Sequence, residues 1–204
     1  MSAVRKTQPI SIEDYLAGEL VSRVKHEYLG GAVYAMAGAR NSHTLIASNI
    51  LILLGGRVRG QRCRALNSDT KIRIPMATHT RFYYPDMAVV CRPNLPSESF
   101  QDSPSIVVEV LSKGTRRLDE GEKRDAYLTI PELTAYVLVE QDAPLVTVWR
   151  RAGDRFEREL YEGLDATISF PDLNVTLSLA EIYESVEFVP EASDDEDSEV
   201  ASGG

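Results

Sequence analysis

Two acidic residues stand where strands would otherwise be apolar. Ile106-Val107-Val108-Glu109-Val110-Leu111 reads as a buried strand with a carboxylate in its middle, and Tyr84-Pro85-Asp86-Met87-Ala88-Val89-Val90 as a strand with a carboxylate at its head. A charge in such a run is costly unless it is paired or holds a metal. Alternation puts Asp86 on the face of Ala88 and Val90, and Glu109 on the face of Val107 and Leu111. If the two strands are neighbours, their carboxylates converge at one edge of a sheet. Two hard oxygen ligands of this kind suit Mg2+ or Mn2+, with water filling the remaining positions. A plainer reading stays open: Glu109 snorkels at a strand end and Asp86 caps a turn.

A lysine extends the pattern. Asp119 and Lys123 are four residues apart on a helix that begins just after the Glu109 strand, so they share a face that Tyr127 continues. Such a pair is most often a surface salt bridge. Folded back over the sheet, however, the helix would bring Lys123 to a metal-held water. Phosphodiester cleavage uses that arrangement, with cations for the charge growing on the phosphoryl oxygens and a water made more nucleophilic by the metal. Lys113, past Ser112 in a predicted loop, is the rival for the lysine's role.

The elements that must position these groups can be read along the chain. Ser11 caps a short helix, with Asp14 at its third position as a weaker variant of the capping box. Strands flanking Gly30-Gly31 form a predicted hairpin. A longer helix opens at Asn41 or Ser42, carries Leu45, Ile46, Ile50, Leu53 and Leu54 on one stripe, and is expected to stop at Gly55-Gly56. Strands are predicted at residues 63–66, 70–74, 83–91, 106–111, 135–140 and 145–149. A helix is predicted over 118–129, an edge strand over 156–160 and a terminal helix over 177–183. Residues 92–105 form a polar, proline-containing loop with the character of a mobile segment. The expected fold class is mixed α/β, with one main sheet, flanking helices and no internal boundary or repeat.

Composition bounds the rest. The chain has 204 residues, 43% of them hydrophobic, enough for a sizeable core. Its net charge is −9, which argues against a nucleic-acid partner until the distribution is considered. Six of those charges (Glu191, Asp194, Asp195, Glu196, Asp197 and Glu199) fall in the last fourteen residues, leaving −3 on residues 1–190. A folded domain over 1–190 and an acidic disordered tail over 191–204 are expected. Residues 1–9 lack the apolar segment of a signal peptide and no apolar run reaches membrane length, so a cytoplasmic protein with no membrane association is expected. Cys63 and Cys91, in or beside predicted strands, read as buried thiols, with one bridge between them the less favoured alternative.

The ordered set of these motifs resembles the PD-(D/E)XK nuclease superfamily, and more narrowly the Uma-type family of putative restriction endonucleases. It runs through Glu27-Tyr28-Leu29-Gly30-Gly31, Asn41-Ser42-His43, Asn67-Ser68-Asp69, Tyr84-Pro85-Asp86 and Val108-Glu109-Val110-Leu111-Ser112. It continues with Thr115, Asp119, Glu122-Lys123, Tyr127 and Ala135-Tyr136-Val137-Leu138-Val139, spanning about residues 10–183. The resemblance implies a restriction-endonuclease-like mixed central sheet flanked by helices. It assigns Asp86 and Glu109 to a Mg2+ or Mn2+ site and implies DNA cleavage. The superfamily's simplest pattern puts a lysine two places after the glutamate, where this chain has Leu111. Family members take the lysine from the following helix, which here means Lys123. Glu27, His43 and Asp69 are implied as further site residues, each with an ordinary structural role as the competing explanation.

Arg57, Arg59, Arg62 and Arg64, with Arg116 and Arg117, are candidates for phosphate contacts, or simply solvated turn residues. No G-x-S-x-G turn, phosphate loop or dinucleotide motif occurs. A metal-dependent endonuclease, acting on DNA as a homodimer, is the leading expectation. A nuclease-like nucleic-acid-binding module without catalysis is the alternative, and an interaction protein whose charges serve folding is the third.

Overall fold

The computed structural model describes residues 8–188, so the acidic segment 191–204 lies outside the described residues. Helix α1 (Ile12–Val21) begins as its sequence dictates. The Ser11 hydroxyl accepts from the Asp14 N–H at 3.0 Å and donates to the Asp14 carboxylate at 2.8 Å. Strands β1 (His26–Leu29) and β2 (Ala32–Ala35) follow, closed by Gly30 and Gly31 with φ of +58° and +104°. Only glycine takes such angles cheaply. A Cβ on Gly31 would also stand 2.5 Å from the Cβ of Pro9. Gly31→Ala is therefore expected to cost about 1–3 kcal/mol, measured as a lower urea midpoint at unchanged slope. An unchanged midpoint would show that the Pro9 segment yields freely.

Helix α2 (Asn41–Arg57) departs from expectation at both ends. Its cap is Arg40, which makes no side-chain capping bond, and Ser42 hydrogen-bonds Gln141 instead. Nor do Gly55 and Gly56 stop it. Val58 is buried one turn beyond Leu54, in line with Ile46 and Ile50, so packing carries the helix through residues of poor propensity.

The strands β3 (Arg64–Asn67), β4 (Lys71–Pro75), β5 (Thr80–Tyr83) and β6 (Met87–Val90) come next. The single strand expected over 83–91 is two strands in different sheets, because Pro85 interrupts the ladder and the chain crosses between sheets there. The supposedly mobile loop contains β7 (Phe100–Gln101), parallel to β4, and is tied down by a bidentate Arg73–Asp102 pair at 2.7 and 2.9 Å. After β8 (Pro104–Val110) the chain forms α3 (Arg116–Leu118), a π-helical turn (Asp119–Lys123) and α4 (Arg124–Tyr127). Strands β9 (Ala135–Val139), β10 (Leu145–Ala152), β11 (Arg155–Glu162), β12 (Thr167–Phe170) and β13 (Val175–Ser178) lead to α5 (Leu179–Ile182). The terminal helix expected over 177–183 is thus part strand, with a Ser178–Glu181 capping box starting its single helical turn.

Two sheets and a hairpin result, in the orders β11-β10-β9-β8-β6-β3, β2-β1-β5-β4-β7 and β12-β13. β11 lies at a sheet edge, as residues 156–160 suggested. This is a mixed central β-structure flanked by helices, a restriction-endonuclease-like α/β fold, although its strands divide over two sheets rather than one. Side chains of β8 alternate between the two faces of its sheet. Val108 and Val110 meet α2 through Ile46, Ile50 and Leu54, whereas Val107 and Leu111 meet Tyr127, Tyr136 and the second sheet's Ile72 and Tyr83. Glu109 belongs to the latter face. Among the described residues no helix is long and apolar enough to cross a membrane.

The reading of the cysteines as thiols is corrected. Cys63 and Cys91 form a disulfide. Arg64 pairs with Val90 in the antiparallel β3–β6 ladder, so the next step along sets the two cysteines opposite one another. That register is a tertiary fact, invisible to the spacing of 28 residues.

Candidate active site

The antiparallel β6–β8 ladder sets Met87 opposite Val108 and Ala88 opposite Val107. One residue further, Asp86 meets Glu109. The Asp86 N–H donates to Glu109 Oε2 at 3.3 Å, and the Val110 N–H donates to Asp86 Oδ2 at 2.7 Å. His43, in the first turn of α2, brings Nε2 to 3.1 Å from the same Asp86 oxygen.

Lys123 arrives from the other side. Its Nζ lies 2.8 Å from Glu27 Oε1, 3.3 Å from Asp119 Oδ1 and 3.5 Å from Glu109 Oε1. The π-helical turn that carries it is a local departure of the kind found at functional sites. Tyr136 from β9 donates to the Asp119 carbonyl at 2.9 Å and anchors that turn. Both Asp119 and Lys123 are consequently buried rather than forming an exposed pair.

Glu27, His43, Asp86, Glu109, Asp119 and Lys123 all line one cavity of about 720 Å3. Asp69 does not join them. It is mostly exposed in the turn before β4, 2.7 Å from Lys25 and hydrogen-bonded to Asn67. Lys113 lines the cavity too, but Lys123 is the lysine set among three carboxylates.

A family model described as Uma2, putative restriction endonuclease, matches residues 12–180. The chain belongs to the Uma2 family. An uncharacterized Synechocystis protein, slr1290, is 36% identical over 147 residues, covering 71% of this chain and 76% of the relative. A second, sll1609, is 28% identical over 158 residues, with 76% and 88% covered. In fold, the chain resembles the crystal structure of a putative nuclease belonging to DUF820 from Anabaena variabilis. That similarity has a TM-score of 0.68 at 20% identity, over 86% of this chain and 98% of the other.

Charge is poorly balanced in this Uma2 cavity. Burial pushes the Glu109 carboxyl well above the usual carboxylate range, and the nearby Asp119, Asp86 and Glu27 push it further while Lys123 pulls it back. Glu27 and Asp119 are raised in the same way, chiefly by burial. Burial works against the charged form of Lys123, yet Glu109, Glu27 and Asp119 outweigh it and hold the ammonium protonated. His43 is likewise raised: burial opposes its charge, but Asp86 and the Val110 carbonyl more than compensate. Four acidic side chains, Glu27, Asp86, Glu109 and Asp119, thus share this cavity with Lys123 and His43.

This cluster of oxygens bears on a metal. Among the described residues, no three His, Cys, Asp or Glu side chains are arranged as a ready metal-binding group. Buried Glu109 Oε1 nevertheless has no hydrogen-bond partner, although Lys123 lies within ion-pair range. Hard oxygens on adjacent strands and an acceptor without a hydrogen bond fit a divalent ion held by Asp86 and Glu109 and otherwise by water.

Tyr127 Oη, fully buried beside Tyr83 and Tyr136 at ring separations of 5.6 and 5.3 Å, also lacks a partner. Tyr127→Phe is expected to raise stability by about 1 kcal/mol, because an unmet buried hydroxyl is costly. A lower thermal midpoint would mean that the hydroxyl is satisfied through a water.

Sequence reading missed Tyr34, Arg40 and Gln141, all of which line the cavity. For Gln141 a signal existed: polar Glu140-Gln141 directly follows the apolar β9, which runs parallel to β8 and ends at the same edge. Two of the arginines offered for phosphate contact are engaged by acids. Arg57 closes α2 roughly 21 Å from His43 at 1.5 Å per residue, and it pairs with Glu181. Arg116 is engaged by Glu140 and Glu120.

Proposed function

We propose that this Uma2 chain is a divalent-metal-dependent endonuclease that hydrolyses phosphodiester bonds in DNA. The observation that carries this reading is the convergence of Asp86, Glu109 and Lys123 on one cavity from the residue before β6, from β8 and from the π-helical turn. Asp86 and Glu109 would hold Mg2+ or Mn2+. When bound, such an ion lowers the pKa of a coordinated water and neutralises phosphoryl charge.

The chain's own groups do the remainder. Glu27 and Asp119 keep Lys123 charged and aimed, so that its ammonium can donate to a phosphoryl oxygen or to the attacking water. His43, at 3.1 Å from Asp86, positions that carboxylate at the same wall. The water oxygen gives up a proton as it forms the new bond to phosphorus, the bridging P–O bond breaks, and the leaving oxygen takes up a proton. By analogy with restriction enzymes we also propose a homodimer. We place the protein in the cytoplasm, where its disulfide would be an uncommon feature.

A nuclease-like binding module without turnover is the second reading. It is favoured by the lack of a three-residue metal group among the described residues and by the engagement of Lys123 with Glu27. The deciding experiment offers purified protein supercoiled, linear and single-stranded DNA with Mg2+, Mn2+ or a chelator, and measures metal binding by calorimetry. Metal-dependent cleavage supports the enzyme. Failure on every substrate together with no metal binding supports the module.

A further inference from the structure

The cavity's second wall is unlike the first. Tyr34 in β2 is the register partner of Glu27 in β1, and cross-strand partners stand side by side on one face of a sheet, about 5 Å apart at Cβ. Since Glu27 holds Lys123 at 2.8 Å, the hairpin delivers the Tyr34 ring one side chain away from the ammonium. Tyr34 is 57% exposed, and β2 is an edge strand with no strand paired beyond it among the described residues. Beside it the wall continues through Leu29, Ala35, Met36, Ala37 and Ala39, with no charge until Arg40. The lining as a whole contains five acidic side chains against Arg40, His43, Lys113 and Lys123. A bare sugar–phosphate backbone gains little from such a surface, whereas a planar uncharged ring gains from the aromatic face and the apolar wall.

We propose that the cavity takes an unpaired nucleotide, its base laid on Tyr34 and its phosphate turned toward Lys123. The substrate class is then single-stranded DNA, or a frayed or flapped end of a duplex, rather than an intact double helix. This rests on the reading of the cavity as a phosphodiester site. It also accords with a lining that lacks Arg57, Arg59, Arg62 and Arg64, since stacking supplies affinity that a basic band would otherwise have to provide.

The test is fluorescence anisotropy with the full chain in chelator, so that binding is read without turnover. The probes are a fluorescein-labelled thymidine oligonucleotide, a duplex of equal length, and an abasic strand of equal length. The single strand is expected to bind at least about tenfold more tightly than either other probe. Tyr34→Ala is expected to lose about tenfold on the thymidine strand and nothing on the abasic strand, while Tyr34→Phe keeps wild-type binding. Equal binding of duplex and single strand, or an equal Tyr34→Ala loss with and without bases, would overturn the proposal. Should Tyr34→Ala misfold by circular dichroism, the wild-type comparison of thymidine and abasic strands decides alone. The nuclease reading fails separately: absent cleavage leaves the binding result standing, and duplex cleavage indifferent to Tyr34→Ala would sink the base contact alone.

Discussion

Lys123→Met is expected to destabilise the protein by about 3–5 kcal/mol at pH 8, the cost of removing one partner from a buried charge cluster, and to abolish cleavage. The substitution fills similar space and deletes only the ammonium. Glu27, Glu109 and Asp119 are then left buried together without the ammonium that pairs with all three. All three carboxyls already lie above their usual range, and without Lys123 they rise further. A carboxyl whose folded pKa exceeds its unfolded value contributes stability below the unfolded pKa and loses it as pH rises through the folded one. The variant should therefore regain stability as pH falls from 8 toward 5, while the wild type gains less. Urea midpoints at three pH values measure this directly. A variant as stable as the wild type at pH 8 would show that water already screens the cluster.

Asp86→Asn and Glu109→Gln are expected to lower cleavage by at least about a thousandfold, on the scale of losing a centre of transition-state charge stabilisation. Their stabilities should diverge from their activities. Glu109 is buried at 4% exposure, and its ionisation opposes folding at neutral pH. Glutamine keeps the shape and removes that charge, so Glu109→Gln should match or exceed the wild-type thermal midpoint at pH 8. Asp86→Asn weakens the acceptor of both the Val110 N–H and His43, so a small loss of stability is expected. Calorimetry with Mn2+ should show weaker binding in both variants. Retained cleavage in either one would remove that residue from the site, and unchanged Mn2+ binding in both would separate the acids from the metal.

Much of this could be read without a fold because the causes are local. A serine before a helix offers its oxygen to the third N–H whatever surrounds it, which is why α1 begins at Ile12. Paired glycines allow the positive φ angles of a tight hairpin, so β1 and β2 were legible. The two-residue period of a strand told which face Glu109 occupies, and the proline before Asp86 marked a strand head. The combined pattern was enough to recognise the family and its α/β class.

Other features were decided by neighbours far away in sequence. Gly55-Gly56 lies inside α2 because buried Val58 rewards another turn of helix. The segment 83–91 divides at Pro85 because its two halves join different sheets. Glu27 meets Lys123 across 96 residues, and Asp69, equally acidic and equally part of the motif, turns instead to Lys25. Cys63 and Cys91 bond because of a ladder register, and a second register sets Tyr34 beside Glu27. Backbone sterics and side-chain period act within a few residues, so the chain alone determined its local elements and the faces of its acids. Which acids share one lysine depends on how two sheets and a π-helical turn pack, and that free energy exists only once the core has closed.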